Sequence, residues 1–176
     1  MKSLHLVRRF FGALSWRRPR ADDLAWVERV LLPGELVLFR RLPNHDQRHL
    51  VKVARRVEAE LSDTAEAGDP RWLAAALLHD VGKYDARLGP YGRAIATVCG
   101  WLGGHDMARA WTQRRGFTRR VGLYLLHGEL GADMIRLAGG REEAATWAAA
   151  GESPDARART GIPAVVVAAL AAADDA

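Results

Sequence analysis

A chain of 176 residues fits one domain and is long enough to bury an ordinary hydrophobic core. Cys99 is its only cysteine, which excludes an intramolecular disulfide and a cysteine-rich zinc site, suits a reducing cytoplasm, and leaves His, Asp and Glu to hold any metal. The formal charge of +5 gathers in residues 1–20, where six of the 26 basic side chains meet none of the 21 acids; a basic tail on a near-neutral domain argues against nucleic acid as the partner.

In that first segment Leu4, Val7, Phe10, Phe11 and Leu14 interleave with Arg8, Arg9, Arg17 and Arg18, which predicts a short amphipathic helix with a basic face. It either packs on its own domain with solvated arginines or rests on anionic lipid or a partner. It lacks an apolar stretch followed by a small-residue cleavage site, so it does not read as a secretory signal. Residues 21–176 are expected to form a single helical domain.

From Asp22 onward, cap residues, apolar stripes of helical period and Gly or Pro stops follow one another without strand-type alternation, so the fold class is all-α, a compact multi-helix bundle. Helices are predicted over Asp23–Leu31, Gly34–Leu42, Asn44–Leu61, Pro70–Val81, Gly92–Leu102, Asp106–Arg115, Thr118–Leu126, Glu129–Ala138, Arg141–Ala150 and Pro163–Asp174, with Gly151–Gly161 as the clearest loop. Ala164–Ala173 is wholly apolar but about half of the roughly 20 residues that cross a bilayer, so it reads as a buried helix and no transmembrane segment is expected.

Three places combine ligand-type side chains with apolar helices. Trp72 to Leu78 is apolar at every position, which predicts a central helix buried on all faces, and His79-Asp80 follows it directly. A carboxylate there needs a partner or a metal, and imidazole beside carboxylate is a common ligand set; the alternative is a polar turn closing at Gly82. In Asn44–Leu61 the core face is Leu50, Val53, Ala54, Val57 and Leu61, with His49 at its border as a ligand or a satisfied structural residue; His45, in the first turn, is a weaker candidate. Asp174 ends the apolar helix near the C-terminus, at the unfavourable end of the helix dipole, where a cation would compensate it unless it is simply a solvated acidic end. His105-Asp106 repeats the dipeptide but follows Gly103-Gly104, so Asp106 reads as the N-cap of the next helix.

Taken in order, His49, His79-Asp80 and Asp174 resemble the H…HD…D signature of the HD superfamily of metal-dependent phosphohydrolases. Leu77-Leu-His-Asp-Val-Gly-Lys83 resembles that family's HD segment, Asp46-Gln-Arg-His49-Leu-Val-Lys-Val-Ala54 its opening histidine helix, and His127-Gly-Glu-Leu-Gly-Ala132 the His-Pro-Glu-Leu-Gly-Ala stretch of HDIG-related members. The resemblance covers about Asn44 to Asp175.

It implies a divalent cation (Mn, Mg, Fe, Co or Zn) held by His49, His79, Asp80 and Asp174, and hydrolysis of a phosphate ester or anhydride of a small, nucleotide-like substrate. Such a cation acidifies water and neutralises charge on phosphoryl oxygens. Asp80, Lys83 and His127 are then the catalytic candidates, Asp80 as a ligand, Lys83 at a substrate phosphate or solvated after the helix stop, His127 as a substrate contact, a partial second metal site or a lone remnant. Two-metal members carry a further pair of adjacent histidines; the corresponding place here is Gly151-Glu152, and no histidine follows His127. Glu152 supplies an oxygen ligand instead or is a solvated loop residue. The competing function is a regulatory or binding module that keeps a metal or nucleotide without turnover; a third reading is a structural helical domain.

Overall fold

In the computed structural model, which describes the backbone of residues 17–86 and 88–175 and their side chains except 90, 91, 94, 100–106 and 175, the described residues form eleven helices and no strand. They are α1 (Ala21–Val30), α2 (Pro33–Arg41), α3 (Asn44–Glu60), α4 (Pro70–Leu78), α5 (Lys83–Ala86), α6 (Pro90–Thr112), α7 (Gly116–Leu125), α8 (His127–Leu137), α9 (Glu142–Ala150), α10 (Pro154–Ala158) and α11 (Ala164–Asp175). The all-α class is as predicted. The amphipathic helix expected at the N-terminus lies outside the described residues, apart from 17–20.

The seven apolar residues Trp72 to Leu78 cannot be buried by a neighbour on one side, and α4 is accordingly enclosed by α1, α2, α3, α9 and α11. Pro70 at its first position and the Asp69 carboxylate, which accepts the Arg71 N–H at 2.8 Å, start it. The stripe Leu50, Val53, Ala54 and Val57 of α3 is buried against α4 on one side and α11 on the other. Each fully buried Leu or Val of this kind contributes about 1.5–3 kcal/mol. Only one face of α11 is buried, through Val166, Ala169, Leu170 and Ala173, while Val165 is 45% exposed, so this helix is a lid on the core and not enclosed as its composition suggests. Among the described residues no helix is long and apolar enough to cross a membrane.

Two buried ion pairs pin the bundle. Glu35 is fully buried and its carboxylate accepts the N–H groups of Leu32 and Arg141, both at 2.8 Å, and the Arg141 guanidinium, tying α2 to the start of α9. Asp46 accepts both terminal nitrogens of Arg93 at 2.8 and 2.7 Å, joining the start of α3 to α6, and Arg93 Nε donates to the Leu88 carbonyl. A second, smaller apolar cluster, with Ala86, Leu88, Ala96, Val121 and Leu123 at its centre, lies under the α6–α7 pair.

Several boundaries differ from the sequence reading. Gly103-Gly104 does not break the chain: α6 is continuous, so Asp106 is not an N-cap. Each glycine lowers helix stability by about 1 kcal/mol, and packing along α7 offsets this. The expected loop Gly151–Gly161 holds α10, started by Ser153, whose hydroxyl accepts the Ala156 N–H, and Pro154. The helix expected to reach Val81 ends at Leu78, and the short α5 begins at Lys83.

Candidate metal centre

Because α4 is central, its C-terminal end delivers His79 and Asp80 into the interior. The His79 Nδ1 lies 2.9 Å from the Ala76 carbonyl, one turn back. A carbonyl only accepts, so Nδ1 carries the proton and the neutral ring presents the Nε2 lone pair. That atom is buried and without a hydrogen-bond partner. It stands 3.6 Å from Asp174 Oδ1 and 3.7 Å from Asp80 Oδ2. A lone pair facing two carboxylate oxygens is repulsive unless a positive charge lies among them.

His49 comes from α3, at the edge of the buried stripe, and its Nε2 is 3.3 Å from Asp174 Oδ1. Its ring meets that of His79 edge-on, centroids 6.2 Å apart. Asp174 is in the last turn of α11, at the negative end of the helix dipole. Arg56 donates to the preceding Ala173 carbonyl at 3.3 Å and relieves that end. His49, His79 and Asp174 thus each offer one ligand atom, all within 4.8 Å of one another, a spread matching donors around one cation with bonds of about 2.0–2.3 Å. The group could hold a metal ion.

Asp80, expected as the fourth ligand, is not a member of that close trio. Its Oδ2 accepts from Lys83 Nζ at 2.5 Å and its Oδ1 is 3.5 Å from His127 Nε2. His127 opens α8 and is set by the same device as His79, its Nδ1 being 2.7 Å from the Tyr124 carbonyl. Gly82 brings the two segments together: a Cβ there would lie 2.0 Å from the His127 carbonyl oxygen. Lys83, with a side chain 12% exposed, is not a solvated residue after a helix stop.

The charges follow from this packing. Burial would push the Asp80 carboxyl up, but the Lys83 ammonium, His79 and His127 outweigh it and hold Asp80 well below the usual range. Burial likewise opposes ionisation of Asp174, and its contacts with His49 and His79 bring it far below its ordinary value. For His79, burial pushes the imidazole down, while Asp80 and Asp174 reverse that and leave it raised. Burial dominates at His45 and lowers it, with Arg93 and Arg48 adding to the effect.

His45 stands apart from the trio, 3.4 Å from Asp46. The side chains of His105 and Asp106 lie outside the described ones. Glu152 is exposed in the turn after α9. Gly151 before it ends α9 at φ 54°, a left-handed backbone conformation that a histidine adopts only with strain. Sequence reasoning missed the carbonyls of Ala76 and Tyr124 that fix both imidazole tautomers and the Asp46–Arg93 clamp beside the site; each carbonyl lies three residues before its histidine, a helical spacing that signals the first kind of contact. No family model matches the chain, and no curated protein or solved structure matches it.

Proposed function

We propose that the chain is a metal-dependent phosphohydrolase of the HD superfamily, acting on a phosphate ester or anhydride of a small, nucleotide-like substrate. The observation that carries this reading is the meeting of His49, His79 and Asp174 around the buried, unpartnered Nε2 of His79. Two imidazoles and a carboxylate, with a second carboxylate alongside, suit Mn, Fe, Co or Zn, and the carboxylates also suit Mg. When bound, a divalent cation supplies an acidified water and a counter-charge for phosphoryl oxygens. The chain's own residues do the rest: the Ala76 carbonyl keeps the His79 Nε2 lone pair turned inward, Asp80 carries negative charge beside it, and the Tyr124 carbonyl turns His127 Nε2 toward Asp80 Oδ1, where the ring is placed as a substrate contact. The lone cysteine suits a cytoplasmic setting, which is part of the proposal.

The test is elemental analysis of the purified chain, followed by a phosphatase and nucleotidase screen with Mn²⁺, Mg²⁺, Co²⁺ or Fe²⁺ added. Hydrolysis that His79→Ala and Asp174→Asn both abolish is expected. A chain that binds none of these ions overturns the reading. Tight metal without hydrolysis of any phosphate ester favours the second reading, a regulatory metal- or nucleotide-binding module, to which the backbone of Gly151 lends weight because it disfavours histidine where two-metal members carry a pair.

A further inference from the structure

The Lys83 side chain is turned toward its own chain and shielded from water, 12% exposed. Its N–H donates to the Asp80 carbonyl at 3.0 Å, its Nζ lies 2.5 Å from Asp80 Oδ2, and the ammonium is 5.9 Å from the centroid of the Tyr124 ring. The side chain is therefore folded back over the turn it belongs to. On the other side of the same carboxylate, Oδ1 of Asp80 and Nε2 of His127 are 3.5 Å apart, a donor pair of the kind a divalent cation takes.

We propose that the Lys83 ammonium is a built-in cation of this centre: it neutralises Asp80 from within the chain and so restricts the centre to a single metal ion. The inference rests on the metal centre proposed above and goes beyond it, by stating why one ion and not two is held. The argument is electrostatic and steric. Paired metal ions of phosphoryl-transfer centres sit about 3.5–4 Å apart and share an acidic ligand. Here the acid between the two imidazoles already has a positive charge at hydrogen-bond distance, in surroundings where Asp80 and Lys83 are both shielded from water. A second dication on Oδ1 would face that ammonium across one carboxylate. Among the described side chains it would meet His127 and Asp80, while Glu152 is exposed and the backbone before it belongs to a helix stop.

Titration calorimetry with Mn²⁺ alone, on the full chain, tests this. Wild type and Lys83→Arg are expected to bind one ion, whereas Lys83→Met gains a second, bound at least about tenfold more tightly than any second ion in wild type. The second ion should vanish again in Lys83→Met/His127→Ala. Circular dichroism checks folding, and Lys83→Gln serves if Lys83→Met unfolds. One ion in both neutral variants, two tight ions in wild type, or a second ion that survives loss of His127 overturns the inference while leaving the metal centre standing. No ion in wild type overturns the metal centre itself and the inference with it.

Discussion

Gly82 and His127 meet backbone to backbone: a Cβ on Gly82 would lie 2.0 Å from the His127 carbonyl oxygen and 2.7 Å from the Gly131 nitrogen. Neither obstacle is a flexible side chain, so the turn holding Asp80 and the helix opening at His127 are held in one relative position by the lack of a side chain at residue 82. Gly82→Ala must push α8 away from the turn. Destabilisation at or above the roughly 1–3 kcal/mol typical of overpacking is expected in urea unfolding, together with loss of metal affinity. An unchanged midpoint would mean that the two segments are not in contact.

Removing a member of the ligand trio should act on metal without destroying the fold. His79→Ala and Asp174→Ala are each expected to weaken divalent-ion binding by more than the roughly 10–100-fold typical of losing an outer-shell partner. Retained helical circular dichroism separates this from unfolding. Wild-type affinity in Asp174→Ala would remove α11 from the site.

The Glu35–Arg141 pair makes a prediction about stability alone. Glu35→Ala leaves the Arg141 guanidinium without its carboxylate in the interior, and a loss of about 3–5 kcal/mol is expected from thermal or urea unfolding. The double change Glu35→Met/Arg141→Met should recover only part of it, since apolar replacement of a buried pair is often neutral but methionine leaves the Leu32 and Arg141 N–H groups without their acceptor.

The pH dependence has two arms. His79 titrates above its ordinary 6.5 in the folded chain, so the protonated ring contributes stability that is full below pH 6.5 and lost as pH rises through the folded value. Asp80 and Asp174 titrate below their ordinary 3.8, so their contributions are present above pH 3.8 and lost as pH falls through the folded values. The metal-free chain should be most stable between these limits. Binding requires the deprotonated Nε2, so the rise in melting temperature on adding Mn²⁺ should grow from roughly pH 6 to pH 8. A rise that is the same at both would remove His79 from the ligand set.

Residues 1–16 contain none of the trio. A chain starting at Arg17 is expected to keep its helical content and wild-type metal affinity. Folding with loss of the ion would make the first segment part of the centre.

Local pattern was enough for the helical class and the central place of Trp72–Leu78, because periodicity and caps are properties of neighbouring residues, whereas His49, His79, Asp80 and Asp174 each kept a structural alternative until their ordered combination was set beside the H…HD…D signature it resembles. The continuous α6 and the capped turn of α10 were decided by packing and by a short Ser-Pro cap, either of which can override a weak local preference for glycine-rich loops. Which ligands meet was a matter for the tertiary structure. His49 and Asp174 are 125 residues apart and meet because α11 packs on α3 and both helices contact α4. The tertiary fold also gave Asp80 a partner outside the trio that spacing does not reveal: Lys83, three residues on, meets Oδ2 at 2.5 Å, while His127, brought in by Gly82, stands 3.5 Å from Oδ1.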